Sequence, residues 1–382
     1  MKSTTLTRET ITEEVSKVCY SIDNNYEKLK DYKPKIAEVV VPFSTICKSP
    51  TDGLLNCLNE FMQVAKQYKL DEEEAINYGL LHLNDMYKNR LSQHSIIQKA
   101  KEIKKALQTG KYEGEKLLGF WSTWGEESAD AVALFNTKFA ITKNVPIKDL
   151  VTKAEGLYKK IEKQDFEGNI AAIFAAKYLD EILKGELNED ALVETAKKLC
   201  KTAEEYPKME WDSEEAEKLM ICYSGKIANG SLNLDRLVEA ASEVYEYAKK
   251  KNKDINKGKW DHDIAVEISL SHTGRVIEKG MKADGLIKEL NDSYKFFESA
   301  LPKTEGWIFK SNDEIAKSAT MMYTIINNSG LKTEDIENDV VNEIVNNQIE
   351  EELTNNLVMM NMMMMTIMVM NMTIATSAST SS

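Results

Sequence analysis

All five tryptophans stand in short polar stretches: GFWSTWGEES carries Trp121 and Trp124, MEWDSEE carries Trp211, GKWDHDI carries Trp260 and GWIFKSND carries Trp307. A related stretch, KQDFEGN, has Phe166 instead. Carboxylates stand close by in Asp212, Asp261, Asp263 and Asp313. Aromatic faces beside carboxylates suit a sugar ring, a cation or a peptide. Trp124, Trp211, Asp212, Trp260, Asp261, Asp263 and Trp307 are therefore the candidate ligand-binding residues. The competing reading is that each ring staples a turn to the segment after it, with the indole N–H satisfied locally.

Other chemistry is weaker. Glycoside cleavage needs one acid and one base or nucleophile at a set separation, but 62 Asp and Glu residues guarantee chance pairs. His262 and His272 are ten residues apart, about 1000° of helix rotation, unlike metal-binding His at i and i+4. His82, among Leu80, Leu81 and Leu83, reads as a hydrogen-bonded core residue, and His94 as part of a polar turn. Gly110 to Lys116, GKYEGEK, lacks the Gly-Lys-Ser/Thr of a phosphate-binding loop, and no dinucleotide, metalloprotease, nucleophile-elbow or calcium-loop motif is present. No cofactor, no metal ion and no catalysis are expected.

The elements that must carry these residues follow from one recurring phrase: two branched apolar residues, two polar, one small or apolar, two polar, one more apolar. It reads Leu150-Val151-x-x-Ala154-x-x-Leu157-Tyr158, then Leu192-Val193-x-x-Ala196-x-x-Leu199-Cys200, then Leu237-Val238-x-x-Ala241-x-x-Val244-Tyr245. Weaker copies start at Leu54, Ile96 and Leu286, so six starts are separated by 42, 54, 42, 45 and 49 residues. These offsets form one stripe of an α-helix. Between copies lie second helical segments, from EEEAINYGLLHLNDMY to NDEIAKSATMMYTIIN, most opening on an acidic or short polar residue that suits a helix N-terminus.

The expected fold is all-α: an open α-α superhelix of about six two-helix repeats over residues 46–330, with a closed α/α toroid as the alternative. Residues 1–45 supply N-terminal capping helices, with a Thr10-x-x-Glu13 capping box opening the stripe from Ile11 to Leu29. Residues 331–356 form a charged C-terminal helix and 357–382 a Met-rich low-complexity tail. Helix pairs reading LVxxAxxLY, acidic-opening second helices, a charged last helix and an uncharged Met- and Ser-rich tail resemble a bacterial domain-of-unknown-function family, number four-thousand-and-three. That resemblance implies an all-helical protein and supplies no activity, since none is established for the family; the tail departs from the family in having Asn and Thr where Ala is usual.

Net charge of -13 disfavours nucleic acid, whose binding needs basic clusters. Five cysteines without CxxC spacing read as reduced thiols, and the first residues lack an apolar leader, so a cytoplasmic protein is expected. In MMNMMMMTIMVMNM nine of fourteen residues are Met. The 19 uncharged residues 357–375 would span about 28 Å as a helix, yet Asn361, Thr366, Asn371 and Thr373, the acidic Glu350 to Glu352 and the missing basic flank argue against a membrane anchor. Copper binding by the thioethers lacks supporting Cys or His. Docking on an apolar groove, including self-association, suits flexible Met better. The functional expectation is a scaffold that binds a protein or peptide, with an α/α-toroid enzyme on a saccharide-like substrate, or a tail-anchored membrane scaffold, as alternatives.

Overall fold

The computed structural model describes residues 7–45, 49–113, 115–117, 124–255, 260, 262–300 and 320. The protein is all-α: the only strands among the described residues are Lys111–Tyr112 (β1) and Glu115–Lys116 (β2), which pair in an antiparallel clip. This clip occupies the GKYEGEK stretch between two helices. Residues 301–319 and 321–382, which hold all but Thr320 of the last expected second segment, NDEIAKSATMMYTIIN, the expected C-terminal helix and the Met-rich tail, lie outside the described residues. So do Trp121, Asp261, Trp307 and Asp313.

Each phrase of the sequence lies in its own helix: α3 (Thr51–Gln67), α6 (Gln93–Thr109), α8 (Ile147–Glu162), α10 (Glu189–Glu204), α12 (Leu234–Ile255) and α14 (Ala283–Ala300). The apolar stripe is buried in all six, and Ala154, Ala196 and Ala241 have no exposed surface. The opposite faces stay in water, as amphipathic helices require.

The second segments form α7 (Glu126–Thr142), α9 (Gly168–Lys184), α11 (Ser213–Ala228) and α13 (His262–Lys279). They are buried nearly all round: Ile170 to Ala176 of α9 is one unbroken buried run. A helix apolar on every side belongs to the interior. The first of these segments is interrupted instead, α4 (Glu72–Leu81) giving way to α5 (Leu83–Tyr87) at His82, whose backbone has φ -103 and ψ 9. At the N-terminus, α1 (Arg8–Asn25) and α2 (Lys33–Thr45) form a further antiparallel pair joined by a 3-10 turn, Glu27–Tyr32. The cap of α1 is Thr7, which accepts the Thr10 N–H at 3.2 Å, and not the expected Thr10: Ile11 at the head of the apolar stripe needs a turn of helix before it.

The helices touch in a regular order. α1 meets α3, α3 meets α6, then α8, α10, α12 and α14 follow in turn, and α14 meets α1. Arg8 Nε donates to Ser293 Oγ at 3.1 Å across that last contact. The second layer runs α4, α7, α9, α11, α13.

One buried position recurs through this second layer, the tenth residue after each helix's first: His82, Asn136, Tyr178, Tyr223 and His272, of which the middle three bridge to the next helix. Asn136 donates to the Ala176 carbonyl of α9 at 2.8 Å, Tyr178 to Ile221 of α11 at 2.7 Å and Tyr223 to Leu270 of α13 at 2.6 Å. Each acceptor stands two residues before the next helix's own residue at this position. Tyr223 also accepts the Gly274 N–H at 3.1 Å, so its hydroxyl is inserted into the backbone ladder of α13. Glycine is needed at such a crossing: a Cβ on Gly225 would lie 2.6 Å from the Tyr178 ring, and one on Gly274 3.0 Å from the Tyr223 ring.

Candidate functional site

The turn aromatics occupy one place in the fold, two residues before a second-layer helix: Trp124 before α7, Phe166 before α9, Trp211 before α11 and Trp260 before α13. The three described indoles are 6%, 5% and 2% exposed, in chain order. Each packs on the next first-layer helix at a fixed register. Trp124 donates to Glu155 Oε2 at 2.6 Å and lies 4.8 Å from the Tyr158 ring. Trp260 donates to Asn291 Oδ1 and meets Tyr294 edge-on at 5.6 Å. Trp211 meets Tyr245 edge-on at 5.9 Å. Glu155, Ser242 and Asn291 are all the eighth residue after the start of their helices, and the three tyrosines the eleventh.

At the junctions that follow α4 and α9, whose turns have no indole to donate, the eighth position is lysine. Lys101 donates to the Tyr68 carbonyl at 2.7 Å, and Lys197 to Gln164 Oε1 at 3.0 Å. Donor and acceptor have exchanged sides of the same junction. The fourth junction is incomplete: Trp211 Nε1 and Ser242 Oγ are both buried without a hydrogen-bond partner. Serine is shorter than Glu or Asn, so the recurring bond is not made there.

Two titratable clusters lie on this edge. In the first, Lys104 of α6 holds Asp130 at 2.8 Å, Glu74 at 3.3 Å and Glu126 at 3.3 Å. Burial pushes the Asp130 carboxyl up to about 7; the Lys104 bond opposes this and the Glu74 charge adds to it. Lys104 itself is raised, because its bonds to Asp130 and Glu74 outweigh burial, which acts first and in the other direction.

The second cluster joins three helices. Asp212 caps α11 by accepting the Glu214 N–H at 2.8 Å, while Glu215 Oε2 accepts the Asp212 N–H at 2.7 Å. The other Glu215 oxygen faces His262 Nε2 at 3.3 Å, and His262 Nδ1 faces the Tyr245 hydroxyl at 2.8 Å. With Nε2–H donating to the carboxylate, Nδ1 accepts the tyrosine proton. Burial raises Glu215, and its hydrogen bond with Asp212 lowers Asp212 in turn. Tyr–His–Glu is an order of groups able to relay a proton. Its inner end is a phenol that is 1% exposed, while the His262 side chain is 36% exposed.

Of the candidate residues, Trp124, Trp211 and Trp260 each stand two residues before a second-layer helix, and Asp212 is the cap of α11. Asp261 and Trp307 lie outside the described residues, and the side chain of Asp263 is likewise not described. Asp212 faces its own helix as a cap. Glu74, Lys104, Asp130, Glu155, Glu215, Tyr245 and Asn291 were missed. Glu155, Ser242 and Asn291 had a signal, since each directly follows the recurring Ala or Leu. His82 is in the core as expected, but neither ring nitrogen has a hydrogen-bond partner, and burial lowers it to about 4. His94 starts α6 and meets Tyr68 edge-on; it is not in a turn. The described cysteines, Cys19, Cys57, Cys200 and Cys222, are free thiols. Among the described residues no group of His, Cys, Asp and Glu could hold a metal ion, and no helix is long and apolar enough to cross a membrane.

No family model matches the chain, and neither a curated protein nor a solved structure matches it.

Proposed function

We propose that this protein is a non-catalytic cytoplasmic scaffold: a run of αα-hairpins closed into a toroid, presenting a fixed surface to a protein or peptide. What supports closure is the return contact of α14 on α1 with its Arg8–Ser293 bond. On this reading α1 and α2 are a hairpin of the ring, where an open superhelix would use them as a cap. The observation that carries the scaffold reading is the fate of the chemical groups. Glu155, Tyr245, Trp124 and Trp260 are buried in the junctions between hairpins, where they stiffen the array.

The first turns of the second-layer helices on that edge expose carboxylates, although Lys69, Lys163 and Lys208 are exposed in the turns before them. Glu72, Glu126, Glu167, Asp212 and Glu214 stand at the starts of successive second-layer helices, on a chain of net charge -13. Such a rim suits a cationic peptide segment. The test is fluorescence anisotropy with labelled Lys/Arg-rich, neutral and Asp/Glu-rich peptides of one length, on the full chain and on a Glu72→Lys, Glu126→Lys, Glu167→Lys variant. Preference for the cationic peptide of at least about tenfold, lost in high salt and in the variant, is expected for a charge-steered interface. Equal binding of all three peptides rejects the reading. Small-angle scattering reads the toroid separately, since an open superhelix has the longer maximum dimension.

A second reading, a toroid hydrolase on a saccharide-like substrate, draws on Glu74 and Asp130 meeting at Lys104, with the Asp130 carboxyl near 7 as a general acid. Release of reducing ends from polysaccharides, abolished by Asp130→Asn and by Glu74→Gln, would replace the scaffold with this enzyme.

A further inference from the structure

The tenth-position hydrogen bond fails at one place among the junctions described. By the register that places Ala176, Ile221 and Leu270 as acceptors, His82 should face the Leu134 carbonyl of α7. No such bond exists: Nδ1 and Nε2 of His82 are both buried without a hydrogen-bond partner, and so is the Tyr78 hydroxyl one turn earlier. The two rings lie roughly parallel, with centroids 6.5 Å apart. None of these three atoms has surface that a water molecule can touch. The folded state has therefore taken three polar atoms out of water and returned nothing for them. The backbone also leaves regular helical angles at this residue, between α4 and α5, while the His82 N–H still bonds the Tyr78 carbonyl at 3.1 Å and the Met86 N–H the His82 carbonyl at 3.0 Å.

We propose that α5 with the turn after it, residues 82–91, is a hinged flap that swings from α7 about His82, ahead of any other second-layer segment, and uncovers the polar face between them. Opening rehydrates Tyr78 and His82, whereas parting α9 from α11 would break the Tyr178–Ile221 bond. One ion pair clasps the flap to α7, and its buried Leu83 and Met86 keep it seated on α3. Asp85 pairs with Lys138 of α7 at 3.0 Å and, within the flap, with Arg90 at 3.7 Å, while Lys104 of α6 binds Glu74 and Asp130 and holds α4, outside the flap, to α7. These are the charged groups that face His82 and Tyr78 from α4, α5, α6 and α7. Local opening of this kind is how a packed array gives a ligand access to an interior face. The flap depends on these contacts and not on closure of the ring.

Hydrogen–deuterium exchange of the full chain at neutral pH tests it, by comparing backbone amides of 82–91 with those of 178–187 and 223–232, the same positions of α9 and α11. Exchange at least about tenfold faster in 82–91 is expected. Tyr78→Phe removes an unpaired hydroxyl without changing shape, so it should slow that exchange several-fold, and Lys138→Met should speed it by opening the clasp. Protection of 82–91 equal to the other two segments overturns the flap. Faster exchange in Tyr78→Phe also overturns it, since that result would mean the hydroxyl holds the segment shut.

Discussion

The indole N–H of Trp124 donates to the carboxylate of Glu155 at 2.6 Å, joining the turn before α7 to the middle of α8 with both side chains buried. Lys159 meets the other carboxylate oxygen at 2.6 Å, so the charge is balanced on the spot. A charge-assisted bond of this kind is stronger than a neutral one, and breaking it from one side strands the partner. Glu155→Ala should lower unfolding stability by about 2–3 kcal/mol, while Glu155→Gln, which keeps an acceptor, should cost less. Urea denaturation of both variants checks the order.

The same logic separates the tryptophans. Trp124→Phe leaves the Glu155 carboxylate without its donor, but Trp211→Phe removes an N–H that has no hydrogen-bond partner. Trp211→Phe should therefore be the milder of the two by about 1 kcal/mol or more in a melt. Phe166 already fills this place before α9.

Glycine substitutions give a contrast in sign. Gly225→Ala puts a Cβ 2.6 Å from the Tyr178 ring and must displace it, breaking the bond to Ile221. A loss of about 1–3 kcal/mol is expected from such overpacking. Gly156 lies in α8, and a Cβ added there would meet nothing within 4 Å, so Gly156→Ala should gain about 0.5–1 kcal/mol of helix stability. Opposite shifts in Tm are the expected result.

Stability should fall as pH rises from about 4 to 8. Burial first, then neighbouring charge, lifts Asp130, Glu181 and Glu217 each to about 7. Between the ordinary carboxylate range and that value the folded state holds protons that the unfolded chain has released, so raising the pH favours unfolding. Asp130→Asn should flatten this slope and gain about 1–2 kcal/mol at pH 8 relative to pH 5. His82 acts at the acid end with the opposite sign. Burial lowers it to about 4, so from about 6.5 downward the unfolded chain takes up a proton that the folded state refuses, and stability falls with acid. Because the His82 window lies inside that of the three carboxylates, denaturation midpoints across pH 4 to 8 read the net slope, and comparison with Asp130→Asn isolates the carboxylate share.

The recurring Ala is the last test. Ala154, Ala196 and Ala241 have no exposed surface, and Glu at any of them forces an unpaired carboxylate into a helix interface. Each should lower Tm sharply; a melt that matches the parent removes that helix from the common register.

By itself the sequence determined the helices and which face of each is buried. Period 3.6 in LVETAKKLC or LVEAASEVY is a local property, and a stripe of branched apolar side chains has no stable place but an interface. It also placed Trp124, Trp211 and Trp260 in the turns that lead into second-layer helices, because a polar break between two apolar stripes marks where one helix ends and the next begins. Partners across those turns were not legible. Glu155, Asn291 and Ser242 read as ordinary surface-type residues until the next helix is packed against Trp124, Trp260 and Trp211, since hydrogen-bond partners about 31 residues apart are chosen by the crossing of two helices and not by either alone. The return of α14 to α1, the Tyr223 hydroxyl inserted at Leu270 and Gly274, and the unmade bond at His82 likewise belong to the tertiary structure. Local periodicity says which side of a helix turns inward; only the packed neighbours decide whether a polar atom there finds a partner.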